Sequence, residues 1–133
     1  MKPLLLDTNV LIKFFRGDKT IVDIISGYEK IVLPTIVLGE YKAGVDSKTT
    51  GGQRQLDVLD AFLDSPSVTV VPLTEDVASV YARLFRVLKG NGTPIPQNDM
   101  WIAACVVESG ATLLSFDGHF ANVPLMDVRI LGA

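Results

Sequence analysis

The chain has 133 residues, of which 48% are hydrophobic and 20% are charged. This composition fits one soluble globular domain over residues 1–133 and excludes a disordered chain. Twelve basic and fifteen acidic residues give a net charge of −3, which permits nucleic-acid binding without indicating it. The apolar runs are too short to span a membrane, no secretory signal is evident, and the single cysteine, Cys105, is expected to be inert core. We therefore expect a cytoplasmic protein.

Apolar runs alternate with amphipathic stretches along the chain, which is typical of α/β proteins with a mainly parallel sheet. The pattern predicts strands at 3–6, 30–33, 68–72, 112–115 and 127–131. It predicts helices at 8–16, 19–26, 35–44, 52–64, 75–90 and 98–109. Thr74 is expected to cap the fifth helix, and Asn98 or Asp99 to start the sixth, which Gly110 ends. Segment 43–53 contains three glycines and is predicted to be a mobile link.

Four carboxylates lie beside apolar sequence that is predicted to be buried. Asp7 follows the first strand, Glu40 lies in the helix after the second strand, Asp99 opens the sixth helix, and Asp117 follows the fourth strand. Carboxylates are rarely buried unless something pairs with them or binds them, and strand ends in an α/β sheet converge on one crevice. Four acids in one crevice repel one another, so the pattern calls for a divalent cation.

Each of these acids, taken alone, also has a purely structural explanation. Asp7 could be the N-cap of the first helix, and Asp99 could be a first-turn acid that the helix dipole favours. Glu40 could be a surface residue of an amphipathic helix, although its position in the second turn would let it reach toward Asp7. Asp117, which precedes a glycine, could be a turn residue.

Other residue patterns are less informative. His119, the only histidine, would serve a Ser–His–Asp hydrolase, but the chain has no Gly-x-Ser-x-Gly elbow. We expect it to pack or to hydrogen-bond near Asp117. The sequence contains no phosphate loop, dinucleotide glycine fingerprint or zinc-ligand spacing. Five basic residues on or near the helices after Asp7 and Glu40 could together contact phosphates, although individually most are predicted to be solvated: Lys13, Arg16, Lys42, Lys48 and Arg54.

Taken in order, these segments resemble the PIN-domain ribonucleases, and within them the VapC-type toxins of type II toxin–antitoxin systems. The resemblance lies in Leu6-Asp7-Thr8-Asn9-Val10-Leu11-Ile12, Glu40, Asn98-Asp99-x-Trp101-Ile102-Ala103-Ala104 and Leu114-Ser115-Phe116-Asp117-x-His119-Phe120. Any one motif is weak, but the four together at this spacing extend over the whole chain. The resemblance implies a three-layer α/β/α sandwich with a mainly parallel central sheet.

The same resemblance implies a catalytic and metal-binding site. Its members are Asp7, Glu40, Asp99 and Asp117, with Asp7 and Asp99 as the principal ligands. Thr8 and Ser115 match polar positions that line the site. The carboxylates are suited to one or two Mg²⁺ or Mn²⁺ ions, since these hard cations prefer oxygen ligands. The expected reaction is hydrolysis of RNA phosphodiesters by metal-activated water, which leaves 5′-phosphate and 3′-hydroxyl ends.

The implied partners are an RNA substrate and a small antitoxin that lays a helix or tail near the early helices. A homodimer or a toxin–antitoxin hetero-oligomer is also implied. Two rival interpretations predict other features. A metal-dependent phosphatase-like enzyme needs a second aspartate two residues after the first, where this chain has Asn9, or a lysine near the site. Lys89 lies in the predicted fifth helix without an adjacent acidic motif. A non-catalytic binding module predicts the loss of one or more acids, and all four are present.

Overall fold

Five parallel strands form one central sheet in the computed structural model, which describes residues 1–132. The strands are β1 (Leu4–Leu6), β2 (Ile31–Pro34), β3 (Val68–Val71), β4 (Thr112–Ser115) and β5 (Asp127–Ile130). Their spatial order is β3-β2-β1-β4-β5, and every neighbouring pair is parallel. The predicted parallel sheet is thereby confirmed. Ala133, which closes the predicted domain 1–133, lies outside the described residues.

Helices flank this sheet and complete the three-layer α/β/α sandwich. Within residues 1–132 they are α1 (Thr8–Phe15), α2 (Lys19–Ser26), α3 (Thr35–Ala43), α4 (Thr50–Leu63), α5 (Glu75–Gly90) and α6 (Gln97–Ser109). A short 3₁₀ helix covers Gly118–Asn122, between β4 and β5. Among these described residues, no helix combines the length and the apolar character that crossing a membrane requires.

The core explains why the central strands have continuous apolar sequences. All three leucines of β1 are buried, as are all four residues of β2, because helices cover both faces of a parallel sheet. Helix α6 is buried on nearly every side, through Met100 and residues 102–106. Burial raises the pKa of the Cys105 thiol to about 11. The thiol therefore stays protonated, as expected for an inert core cysteine.

The predicted helix ends lie within two residues of the observed ones, and the start of α6 is one of those that differ. The Thr74 hydroxyl accepts a hydrogen bond from Val77 N at 3.2 Å and caps α5. Gly110 ends α6 in the left-handed conformation, at φ 66°. The predicted start of α6 at Asn98 or Asp99 was wrong, because Pro96 is the N-cap and its carbonyl accepts from Met100 N at 3.0 Å. Asp99 therefore lies inside the first turn.

The connection between α3 and α4 also corrects the prediction. A mobile link was predicted over 43–53, but α4 already begins at Thr50. The Thr49 hydroxyl accepts from Gly52 N at 2.9 Å and donates to the Asp46 carbonyl at 3.0 Å. A Cβ at position 52 would lie 1.7 Å from that same carbonyl oxygen. Gly52 is therefore present because two backbones approach closely, and not because the segment must flex.

The strand order brings the ends of β1 and β4 together at the middle of the sheet. The sequence moves outward from β1 to β3 on one side and from β4 to β5 on the other. Ligands in open α/β sheets bind where the strand order reverses in this way, at the carboxyl ends of the strands. Asp7 N donates to the Leu114 carbonyl at 3.1 Å across this point. Residues that directly follow β1 and β4 therefore meet in one crevice.

Candidate active site

Asp7 is the first residue after β1, and only 8% of it is exposed. Its Oδ1 accepts a hydrogen bond from Thr8 N at 2.8 Å and caps α1. Its Oδ2 accepts from the Ser115 hydroxyl at 2.7 Å. The N-cap explanation is thus confirmed. It leaves other functions open, because a carboxylate has more lone pairs than these two donors use.

Ser115 joins the carboxylates that follow the two central strands. It is fully buried at the end of β4. Its hydroxyl donates to Asp7 and accepts from Asp117 N at 2.9 Å. The hydroxyl therefore acts as both a hydrogen-bond donor and an acceptor inside the crevice. A buried acid and the neighbouring acidic loop are held in fixed positions by one side chain.

Glu40 reaches the same crevice from the second turn of α3, as its sequence position predicted. Its Oε1 accepts from the Thr8 hydroxyl at 2.8 Å. Its Oε2 accepts from the side-chain amide of Asn98 at 3.3 Å. The contact between Glu40 and Asn98 was not predicted from the sequence, where Asn98 was a possible helix start and part of the motif around Asp99. Its place directly before Asp99 was the available signal.

The His119 side chain lies close to the carboxylates of both Asp99 and Asp117. Asp117 Oδ1 accepts from the backbone N–H of His119 at 2.9 Å, which confirms the expected hydrogen bond near Asp117. The His119 Nδ1 atom lies 3.0 Å from Asp117 Oδ1 and 3.8 Å from Asp99 Oδ2. One potential ligand atom from each of the three residues lies within 4.8 Å of the other two. The proximity of His119 to Asp99 was not predicted, because it depends on how α6 packs beside the 3₁₀ helix.

The four carboxylates influence one another electrostatically. Burial raises the pKa of Asp7 above its ordinary value, and the charges of Glu40 and Asp117 add to this effect. Hydrogen bonds from Ser115 and Thr8 act in the opposite direction. Burial, followed by the charges of Asp117 and Asp7, raises the pKa of Asp99 from 3.8 to about 6. The structure therefore brings together all four acids that the sequence singled out.

Comparison with known proteins shows the family. The family model described as "PIN domain" matches residues 4–125.

The chain belongs to the PIN domain family.

The matched range includes all four carboxylates.

Two curated relatives of this PIN domain are VapC proteins of Mycobacterium tuberculosis. "Ribonuclease VapC4" is 29% identical over 124 residues, and the alignment covers 93% of each chain. "Ribonuclease VapC19" is 30% identical over 125 residues, which are 90% of this chain and 94% of the relative. These similarities group the PIN domain with the VapC-type members of the family.

Solved structures share the fold of this chain. DNA-bound VapBC from Salmonella typhimurium matches with a TM-score of 0.83 at 20% identity, covering 98% of each chain. FitAcB from Neisseria gonorrhoeae matches with a TM-score of 0.77 at 26% identity, covering 94% of this chain and 95% of that chain. The predicted PIN-like architecture is therefore confirmed.

The donor set of this PIN domain fits a hard divalent cation. Carboxylate oxygens dominate it, with one imidazole nitrogen at its edge. Within residues 1–132, no lysine or arginine nitrogen lies within 4.0 Å of any of the four acids. Within the described residues, the one basic side chain beside the cluster is therefore His119. A cation with oxygen preference would offset both the repulsion and the cost of burial.

The raised pKa of Asp99 predicts how stability depends on pH in EDTA. The folded pKa is about 6 and the ordinary value is 3.8, so the folded state retains a proton that the unfolded chain has released. This stabilisation is complete below the ordinary pKa and is lost as the pH rises through the folded one. We expect calorimetry to give a midpoint about 3–5 °C higher at about pH 5 than at about pH 7.5.

The control for this prediction is the Asp99→Asn variant. It lacks the titrating group, so most of the difference between the two pH values should disappear. A wild-type midpoint that rises from about pH 5 to about pH 7.5 would contradict the prediction, because it would mean that the folded site favours the charged carboxylate.

Proposed function

We propose that this PIN domain, over residues 1–133, is a metal-dependent endoribonuclease and the toxin of a cytoplasmic toxin–antitoxin pair. One observation carries the proposal: four carboxylates converge where the strand order reverses, and within the described residues no lysine or arginine pairs with them. Such a cluster is costly to fold unless it binds cations. Carboxylate pairs that bind divalent cations are a common means of cutting phosphodiesters.

The residues that would hold Mg²⁺ or Mn²⁺, one or two ions per site, are these same acids. We assign Asp7 and Asp99 as principal ligands, with Glu40 and Asp117 completing the site directly or through water. A bound ion would supply Lewis-acid chemistry, which makes water a stronger nucleophile and offsets the charge that develops on the phosphodiester.

The surrounding side chains would orient this site. Ser115 holds Asp7 Oδ2, and Thr8 and Asn98 each hold one oxygen of Glu40. Such supporting contacts fix ligand orientation and raise the efficiency of a site. Glu40 is only partly buried and is fixed by neutral donors. We assign it as the carboxylate that accepts a proton from the attacking water.

The relatives support the choice of substrate and partner. Two of them are named ribonucleases, and one solved neighbour is described as a member of the VapBC family of toxin–antitoxin systems. We propose RNA as the substrate and a small antitoxin as the partner, in a homodimer or a toxin–antitoxin hetero-oligomer.

A groove beside the early helices supports the antitoxin assignment. The α1–α4 groove, as we name it, has a volume of about 220 Å³ and lies between α1, α3 and α4. Five of its ten lining residues are apolar or aromatic: Ile12, Phe15, Tyr41, Val45 and Val58. Glu40 also lines it, together with Arg16 and Arg54. An apolar antitoxin segment that carries an Arg or Lys could therefore fill the groove and pair with Glu40.

The test is cleavage of total cellular RNA by purified protein free of antitoxin. We expect discrete cuts with Mg²⁺ or Mn²⁺, none with EDTA, and fragments with 5′-phosphate ends. Asp7→Asn should abolish the cuts and retain a folded circular dichroism spectrum. Turnover of an aryl phosphate instead of RNA would favour a phosphatase. Intact RNA under every condition, from folded protein, would refute the ribonuclease proposal.

A further inference from the structure

A second groove shares Ile12 and Arg16 with the α1–α4 groove and is close to the carboxylate cluster in sequence, because its lining residue Phe116 directly precedes Asp117. We call it the Phe116 groove. Its volume is about 430 Å³, and it is lined by Asn9, Ile12, Lys13, Arg16 and Phe116. Three α1 residues and the C-cap Arg16 follow the spacing i, i+3, i+4, i+7, so they form one stripe along the helix. Phe116 forms the opposite wall, directly between Ser115 and Asp117 in sequence.

The groove is positively charged in a protein whose net charge is −3. Lys13 and Arg16 are its only charged lining residues. Both are exposed, and within residues 1–132 neither forms an ion pair with a carboxylate. At a rise of about 1.5 Å per residue they lie about 9 and 14 Å along the helix from Asp7. Lys13 and Arg16 therefore place two positive charges along the helix that begins at the acidic site.

The Lys13 side chain covers the Phe116 ring. The Lys13 ammonium lies 4.4 Å from the centre of the Phe116 ring. An exposed cation–π contact of this kind is weaker than the stacking of a nucleic-acid base on an aromatic ring. A bound nucleotide could therefore replace the ammonium on the ring and, at the same time, offer Lys13 a phosphate.

We propose that the Phe116 groove is the subsite for a nucleotide next to the bond that is cut. Lys13 and Arg16 bind its phosphate, and Phe116 stacks against its base. This inference rests on the ribonuclease function proposed above. RNA fits the groove better than a protein segment does, because phosphates and bases need cations and an aromatic face. The α1–α4 groove also contains two arginines, but Glu40 lines it and would repel a phosphate, and its five apolar or aromatic residues match an apolar protein segment better. Arg16 lines both grooves, so antitoxin and RNA would compete for it.

The experiment measures binding of a fluorescently labelled single-stranded RNA of mixed sequence. All proteins carry Asp99→Asn, so the RNA stays intact, and anisotropy is recorded over a series of salt concentrations. The test variants are the double variant Lys13→Ala/Arg16→Ala and the single variant Phe116→Leu. The matched control is Lys30→Ala/Arg86→Ala, which also removes one lysine and one arginine, from exposed positions that line neither groove. Thermal melts verify that each variant is folded.

The expected results differ between the variants. The Lys13/Arg16 variant should raise the Kd about tenfold and reduce the salt slope by about 1.4, or about 0.7 for each lost phosphate contact. Phe116→Leu should raise the Kd about fivefold without changing the slope. The control should behave as the parent protein does. An unchanged Kd and slope, or an equal loss in the control, would overturn the proposal and leave the groove to another occupant.

A second readout separates this proposal from the ribonuclease function. With Asp99 intact, the Lys13/Arg16 variant should raise KM and leave kcat unchanged, because it removes binding and not chemistry. If the unmodified protein cleaves RNA and the variant has the same KM, the subsite is wrong and the nuclease stands. If RNA binding depends on Lys13 and Arg16 but no protein cleaves, the nuclease is wrong and the groove remains an RNA-binding site.

Discussion

Asp99→Asn is expected to abolish RNA cleavage and, in the same protein, to raise the thermal stability at neutral pH. Electrostatic stabilisation at a site that handles developing charge is worth about a hundred- to a thousandfold in rate, and this variant removes a proposed metal ligand. It also removes a carboxylate whose pKa is raised from 3.8 to about 6. At 1.36 kcal/mol per unit, and discounted for solvent screening of a carboxyl that is only partly buried, relief of this burial and repulsion is worth about 1–2 kcal/mol in EDTA.

Opposite effects on activity and stability distinguish a functional acid from a structural one. The measurements are RNA cleavage in Mg²⁺ and calorimetry in EDTA, both near pH 7.5. Asp127→Asn is the matched control. Hydrogen bonds from Lys2 and Thr112 lower the pKa of that exposed carboxyl, so its loss should leave cleavage intact and give no stabilisation. Cleavage by Asp99→Asn at the wild-type rate would refute the metal site. Loss of both activity and stability would mean that Asp99 supports the fold.

Gly52→Ala is expected to destabilise the protein strongly, whereas Gly51→Ala should not. The added methyl group at position 52 would overlap the Asp46 carbonyl oxygen at 1.7 Å. That atom is backbone, so the clash can be relieved only by separating the α3–α4 link from the start of α4. We expect a loss of about 3 kcal/mol or more in the free energy of unfolding, as for severe overpacking.

Gly51 is the neighbouring control for this prediction. A Cβ there meets nothing within 4 Å, and the residue lies in the first turn of α4. Alanine should therefore stabilise α4 by up to about 1 kcal/mol. Urea denaturation of both variants tests the pair. Equal stabilities would show that the link yields easily and that the close approach at Gly52 contributes little.

Strands and acids were predictable because their determinants are local in sequence. The leucines of β1 form a continuous apolar run since the strand is buried on both faces. Asp7 and Asp117 follow strands whose ends meet at the middle of the sheet, and Glu40 lies in the second turn of α3, the helix that directly follows β2. All of these features can be recognised within a few residues of each acid.

The remaining contacts depend on how distant segments pack. Glu40 meets Asn98 across 58 positions of sequence, and His119 approaches Asp99 only after α6 lies beside the 3₁₀ helix. The early start of α4 depends on a carbonyl six residues before Gly52. The glycine content suggested a flexible segment there. That position 52 must lack a side chain becomes visible only when the Asp46 carbonyl is seen beside it. The sequence grouped five basic residues together and could not predict which of them line each of the two grooves beside α1.

The Ser115 bridge has a consequence for the order in which the molecule is made. Asp7 and Ser115 are 108 positions apart, and β1 lies between β2 and β4 in the sheet. A chain that is still being translated holds Asp7 and Glu40 long before Asp99, Ser115 and Asp117 exist. The proposed catalytic centre is therefore incomplete until β4 has been synthesised and has paired with β1. An enzyme that cuts RNA would thus be inert for most of the time it remains attached to its own messenger.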